Sequence, residues 1–204
     1  MHIVCLDLEG VLIPEIWIAV AERTGITEFR RTTRDEPDYD QLMRYRLALL
    51  RQHGLKLVDL QNVIAGMSPM DGARDFLDDL RARFQVIILS DTFYEFADPL
   101  ICQLGRPTLM CHHLITDPSG FVAAYKLRQP DQKRHAVNAL KSLNFKVIAA
   151  GDSYNDTGML SAADAGFFIH APANITAQFP QFAVHHSYAD LKASIDAAAL
   201  RLSS

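Results

Sequence analysis

Cysteine is scarce in this chain: Cys5, Cys102 and Cys111 are odd in number and widely spaced. That excludes a disulfide framework and fits reduced thiols, so a cytoplasmic protein is expected. Long hydrophobic runs are missing as well. The uncharged stretch from Ala165 to Ala189 is broken by Pro172, Asn174 and Pro180, which excludes it as a membrane span. The chain enters its first strand at Ile3, so no signal peptide is expected. Nor does one sign of charge dominate. Twenty basic residues stand against 24 acidic ones and are dispersed, which removes the electrostatic footprint that nucleic acid or an anionic membrane requires. No repeat or low-complexity tract occurs. Small polar ligands remain as partners, and 204 residues suffice for one domain with a generous insertion.

Apolar runs at Ile3 to Leu6, Val86 to Leu89 and Val147 to Ala150 read as buried parallel strands. After the first, Pro14 suits the opening turn of a helix that continues through Ile16, Trp17 and Ala21 to Gly25. Trp17, the lone tryptophan, reads as packing. Asp35 to Asp38 is a polar break; Leu42 to Leu50 and Leu57 to Ala65 follow as two helices, and Ser68-Pro69 ends the block. Residues 15–69 are therefore expected to form a small helical cap inserted after strand 1, with 1–14 and 70–204 as the core.

From Gly72 the rhythm changes to a helix ending at Arg83, the strand at Val86, and a helix from Tyr94 to Leu104. A hairpin then turns at Asp117-Pro118-Ser119-Gly120, between His113 to Thr116 and Phe121 to Tyr125. Helices over Asp131 to Leu143, Asn155 to Ala162 and Tyr188 to Leu202 flank the strands Val147 to Ala150 and Ala165 to Ile169. This alternation predicts an α/β fold with a doubly wound, Rossmann-like parallel sheet.

Four segments carry chemistry. Asp7-Leu8-Glu9-Gly10 follows the first strand: a carboxylate there is costly unless it meets a cleft or a cation, and Gly10 lets the backbone approach an anion. Ser90-Asp91-Thr92 puts a hydroxyl at the second strand's exit, before a helix whose first amides can hold phosphate; the alternative is an ordinary helix cap. Gly151-Asp152-Ser153-Tyr154-Asn155-Asp156 sets two carboxylates and an amide after a buried strand, suited to a hard cation or to a plain turn. Lys133 precedes that loop by one helix, and its neighbour Arg134 points about 100° away. Open α/β sheets bind ligands at the carboxyl ends of their strands, so the four segments share an edge. Together they supply an attacking carboxylate, a hydroxyl donor, a cation and a metal ligand. The pairs His112-His113 and His185-His186 suggest no zinc site, because neighbours on a strand face opposite sides.

These segments resemble the haloacid dehalogenase superfamily of aspartate-nucleophile phosphotransferases, and the likeness covers nearly the whole chain. The helical insertion, Leu42 to Arg46 and Gly151-Asp152-x-x-Asn155-Asp156 are similar to phosphoserine phosphatase. Asp7-Leu8-Glu9-Gly10 and Ser90-Asp91-Thr92 resemble its bacterial branch with phosphoserine:homoserine phosphotransferase activity. The resemblance implies Asp7 as nucleophile and magnesium ligand, and Glu9 as general acid/base with its carbonyl on the metal. Asp152 is implied as a further ligand and Asp156 as its support. Ser90, Lys133 and the amides of Gly10 and Asp91 would hold the phosphoryl oxygens, and Asn155 would orient ligand or nucleophile. Most relatives have Asp where this chain has Glu9, which extends the carboxyl by one methylene.

Substrate choice is expected from the cap: Glu15 for an ammonium and Arg46 for a carboxylate, together selecting a phosphorylated amino acid such as phosphoserine. Arg44 and Arg46 lie about 200° apart on a helix, so one of them serves, and the likeness picks Arg46. Water is the default phosphoryl acceptor and homoserine a second. A homodimer is left open. Alternatives are a phosphatase for another small phosphomonoester, a phospho-accepting receiver domain and a non-catalytic binding protein. A receiver would carry its acceptor Asp on a middle strand with the acidic pair upstream, the reverse of the order here.

Overall fold

In the computed structural model, which describes residues 1–32, 35–36 and 38–203, the predicted apolar runs form the middle of one sheet. Its strands are β1 (His2–Leu6), β2 (Gln85–Phe93), β3 (Thr108–Thr116), β4 (Val122–Lys126), β5 (Lys146–Gly151), β6 (Ala165–Ile169) and β7 (Ala183–His185). They lie in the order β4-β3-β2-β1-β5-β6-β7, parallel throughout except where β3 meets β4. Both faces are covered, which is why β1 is apolar at successive positions. Ile3 and Cys5 join a cluster with Val137 and Met159, while Val4 and Leu6 join another with Leu77 and Leu191. The chain works outward from β1 on one side and then returns to β5 on the other. Such a reversal opens a crevice at the carboxyl ends of β1, β2 and β5.

The helices are α1 (Ile16–Thr24), α2 (Tyr39–Gln52), α3 (Leu57–Ala65), α4 (Ala73–Arg81), α5 (Tyr94–Gln103), α6 (Gln132–Ser142), α7 (Thr157–Ala162), α8 (Ala173–Thr176) and α9 (Tyr188–Arg201). Gly25, left-handed at φ 73°, ends α1 by donating to the Ala21 carbonyl. Asp38 caps α2 by accepting from the amides of Asp40 and Gln41. Pro37, within the predicted polar break, lies outside the described residues.

Among the described residues, the helices between β1 and α4 have no separate core. Trp17 stacks on Phe29 at 5.5 Å and meets Phe96 of α5 edge-on at 5.3 Å, so their apolar side chains merge with the main cluster. The hairpin of β3 and β4 also grips them: Arg51 pairs with Asp117 at 3.0 Å, the Leu57 amide donates to the Gly120 carbonyl, and the Tyr125 hydroxyl meets Asp40.

Three readings need correction. Ser90 to Thr92 do not follow the second strand but lie inside it. β2 continues to Phe93 across a register irregularity after Leu89, and α5 begins without a side-chain cap from either hydroxyl. The hairpin's first arm begins at Thr108, because β3 pairs first with β2 and then with β4. Finally, β7, α8 and the 3₁₀ turns at Thr27–Arg30 and Tyr154–Asp156 were not expected; all are short and carry little apolar periodicity. No helix among the described residues is long and apolar enough to cross a membrane.

Candidate active site

At the crevice a cavity of about 380 Å³ opens between the sheet edge and the helices α1 and α2. Asp7, Glu9, Gly10, Ser90, Asp91 and Asp152 line it from the strand ends, Asn155 from the 3₁₀ turn, and Glu15 and Arg46 from the opposite side. Lys133 and Asp156 lie buried beneath. The Lys133 ammonium is 2.9 Å from Asp7 Oδ1 and 2.7 Å from Asp156 Oδ1. Arg134, its neighbour, is exposed and paired with Asp131. A larger adjoining cavity of about 880 Å³ shares Tyr39, Asp91 and Asn155 and is lined by Lys133 but not by Asp7, Glu9 or Asp152, so the carboxylates of the site gather in the smaller one.

Asp7 continues the ladder beyond β1, its amide donating to the Ala150 carbonyl at 3.0 Å. Its Oδ1 accepts from the Leu8 amide at 2.7 Å. Burial, and next the charge of Asp156, push the Asp7 carboxyl well above its ordinary range, while Lys133 pulls it down. Burial opposes the charge on Lys133, yet Asp156 and Asp7 hold that ammonium well above its usual value. The acidic loop after β5 is built around Asp156, whose Oδ2 accepts from the amides of Asp152 at 2.9 Å and Ser153 at 3.0 Å. Glycine is required at two places here. A Cβ on Gly151 would lie 2.3 Å from Asp156 Cγ, and one on Gly10, at φ 74°, would lie 2.3 Å from Asp152 Oδ2.

Carboxylate oxygens of Asp7, Asp152 and Asp156 come within 4.8 Å of one another. One ammonium among three buried carboxylates leaves a surplus of negative charge, and the donors are hard oxygens. Both facts fit a divalent cation such as magnesium. Asp156 is already committed to Lys133 and the loop amides, so Asp7 and Asp152 are the side chains that could ligate.

Other expected donors fare differently. The Gly10 amide, expected to hold a phosphoryl oxygen, donates instead to the Ile13 carbonyl at 2.8 Å, and what Gly10 supplies here is close approach to Asp152. The irregularity after Leu89 leaves Ser90 and Asp91 out of the β3 ladder and against the cavity. Glu9 reaches with Oε2 to the Ile16 amide at 2.9 Å. Burial, followed by repulsion from Glu15, raises its carboxyl to about 7 against the pull of the Ile16 amide, Arg46 and Thr92.

Arg46 is only 7 % exposed and lies over Trp17 with its guanidinium carbon 4.6 Å from the ring centroid. One terminal nitrogen donates to the Arg31 carbonyl at 2.9 Å, but the buried Nε has no partner among the described residues. Burial lowers its pKa to about 10. Arg44 is exposed and paired with Asp40. Glu15 stands exposed at the cavity rim.

Several lining residues escaped the sequence reading. Thr92 bonds to Glu9, and its place two residues after Ser90 was the available signal. Tyr39 donates its hydroxyl to the Asp91 carbonyl at 3.0 Å across 52 positions of sequence, which no local pattern reveals. Trp17 both packs and lines the cavity.

A family model described as haloacid dehalogenase-like hydrolase matches residues 1–164. The chain is 62% identical over 192 residues to a protein of Pseudomonas aeruginosa named phosphoserine phosphatase ThrH, covering 94% of each. It is 61% identical over 192 residues to a phosphoserine phosphatase of Pseudomonas syringae pv. tomato, covering 94% of this chain and 81% of that one. Among solved structures, a phospho-aspartyl intermediate analogue of phosphoserine phosphatase superposes with a TM-score of 0.74 at 16% identity, covering 90% of this chain and 92% of the other, a likeness of fold. Kinship in sequence over nearly the full length thus agrees with the architecture, and the chain belongs to the haloacid dehalogenase-like hydrolase family.

Proposed function

We propose that this protein is a magnesium-dependent phosphoserine phosphatase that works through an aspartyl phosphate on Asp7, with residues 15–69 as a cap over a core of 1–14 and 70–204. The reading rests above all on one observation: a buried arginine whose Nε has no partner among the described residues lines the same cavity as a buried carboxylate held by lysine. A dianionic phosphate suits the second, and an amino-acid carboxylate suits the first. The names of the Pseudomonas relatives support the same substrate.

Asp7 attacks phosphorus with one carboxylate oxygen, and Lys133 and the Leu8 amide steady the group through Oδ1. As the new P–O bond forms, the ester bond to the serine oxygen breaks and Glu9 gives that oxygen a proton. The Glu9 anion then takes a proton from water as the water oxygen attacks phosphorus, restoring Asp7 and releasing orthophosphate. Lys133, Ser90 and the Asp91 amide stabilise the charge that spreads over the transferring oxygens. Asp7, Asp152 and the Glu9 carbonyl would hold magnesium, with Asp156 steadying their loop, and the ion would neutralise charge on the phosphoryl group. By reversibility an alcohol acceptor occupies the place serine leaves, so homoserine needs no separate site.

Incubation with phosphoserine and magnesium, with and without homoserine, tests this. Free phosphate is expected in both, and phosphohomoserine in the second. Small sugar phosphates, lacking a carboxylate for Arg46, are expected to react about a hundredfold more slowly. Absence of phosphate release from phosphoserine would refute the assignment.

The pH profile carries a second expectation. Glu9 is neutral, and able to donate, below about 7 and anionic above it. Below that point the second ionisation of the phosphate, at about 6, sets the rising limb. kcat/KM should therefore peak and fall through a limb near pH 7, and Glu9→Gln should be slow and lack that limb. A falling limb that survives in Glu9→Gln would assign it to another group.

A further inference from the structure

The function above uses the main chain of Asp91 and leaves its side chain unexplained, although that carboxylate lines both cavities and collects donors from three elements. Asn155 Nδ2 lies 2.9 Å from Oδ2, and Lys133 Nζ lies 3.8 Å from the same oxygen. Gln132 Nε2 lies 3.2 Å from Oδ1, and His112 Nε2 lies 3.4 Å from it. Burial acts against the charge, but Lys133 first, then His112 and Asn155, hold this carboxyl well below the usual range. His112 is buried on β3, and its Nδ1 accepts from the Arg128 amide at 3.0 Å. That bond assigns the proton of the neutral ring to Nε2, directed at Asp91.

We infer that the Asp91 carboxylate, steadied from behind by His112, is a positioning group that sets Asn155 and Lys133 toward the phosphoryl site. The inference rests on the proposed phosphatase reading. An amide nitrogen has two hydrogens and an ammonium three. Asn155 gives one to Asp91 and keeps one for a ligand. Lys133 gives two to Asp7 and Asp156, and Asp91, at 3.8 Å too far to accept the third, draws the ammonium toward the cavity while leaving that hydrogen for a phosphoryl oxygen. Without the carboxylate the Asn155 amide would rotate and the Lys133 ammonium would draw back toward Asp156, and their contacts to the transferring oxygens would loosen. His112 touches none of the reacting atoms, so it is a positioning residue that acts through Asp91.

The test is a double-mutant cycle on His112→Phe and Asp91→Asn, read as kcat and KM for phosphoserine and for 4-nitrophenyl phosphate, with melting temperatures alongside. His112→Phe is expected to lower kcat about tenfold with little change in KM. His112→Gln, whose longer amide can return a donor toward Asp91, should recover most of that loss. The double variant should be no slower than Asp91→Asn alone, because one residue acts through the other. Should His112→Phe fail to fold, His112→Asn keeps an acceptor for the Arg128 amide, drops the donor to Asp91 and takes its place in the cycle. Losses that multiply in the double variant, or an unchanged kcat in His112→Phe, would overturn the inference. A wild-type protein that hydrolyses the aryl phosphate but not phosphoserine would sink the substrate reading alone, and the cycle would still be read on the aryl ester.

Discussion

Replacing Asp7 with Asn is expected to lower phosphoserine turnover by at least about 10⁴-fold while leaving the fold intact. An amide cannot form the acyl phosphate, and Asp156, the other carboxylate bonded to Lys133, is committed to the amides of its own loop. The thermal midpoint should move the opposite way to activity. Burial and Asp156 hold the Asp7 carboxyl above its ordinary value, so its ionisation works against folding from the usual carboxylate range upward in pH. Asn carries no charge to bury, and the metal-free variant should melt no lower than the wild type at neutral pH. Turnover within tenfold of wild type, or a phosphoenzyme mapped by mass spectrometry to another residue, would remove Asp7 from the centre of the reaction.

Arg46→Ala should cost about 10² to 10³ in kcat/KM for phosphoserine while sparing an aryl phosphate that has no carboxylate. The magnitude follows from burial: a charged partner removed from a dry site leaves the substrate's own charge unpaired. Arg46→Lys should recover little, since an ammonium offers neither the planar fork nor the stacking over Trp17. The aryl ester separates this effect from a general loss of structure, because the guanidinium also anchors the Arg31 carbonyl. Equal losses on both substrates would mean that Arg46 shapes the cavity without reading the amino acid.

The sheet was legible because its inner strands are buried on both faces and spell this out as unbroken apolar runs. At the edges that signal fades. β7 is three residues long and mostly exposed, so Ala183–His185 offered no pattern. Ser90 to Thr92 misled for a different reason: polarity rises where the strand meets the cavity, although the backbone stays extended. Among the site residues, Asp7 and the acidic loop announced themselves by sitting directly after apolar runs. Lys133 was legible from its place one helix before that loop, with the rest of its assignment carried by family likeness, since nothing else local distinguishes it from Arg134. Tyr39, Gln132 and His112 acquire meaning through contacts between distant segments, and spacing cannot show these. The Gly10 amide was misjudged because its acceptor, the Ile13 carbonyl, comes from a turn that the chain makes immediately afterwards.

Glu9 and the Ile16 amide, joined at 2.9 Å, tie two parts of the molecule that must otherwise be coordinated. Ile16 is the first residue of α1, where the chain leaves the sheet for the helices above. The extra methylene of Glu over Asp is what lets a carboxyl from the strand end reach that far. Lifting those helices would pull the amide from the acid and leave its proton aimed nowhere. If residues 15–69 move as the proposed cap, the bond would work as an interlock: an opened enzyme would be a disarmed one, kept from spending its phosphoryl group on stray solvent until the amino acid is enclosed.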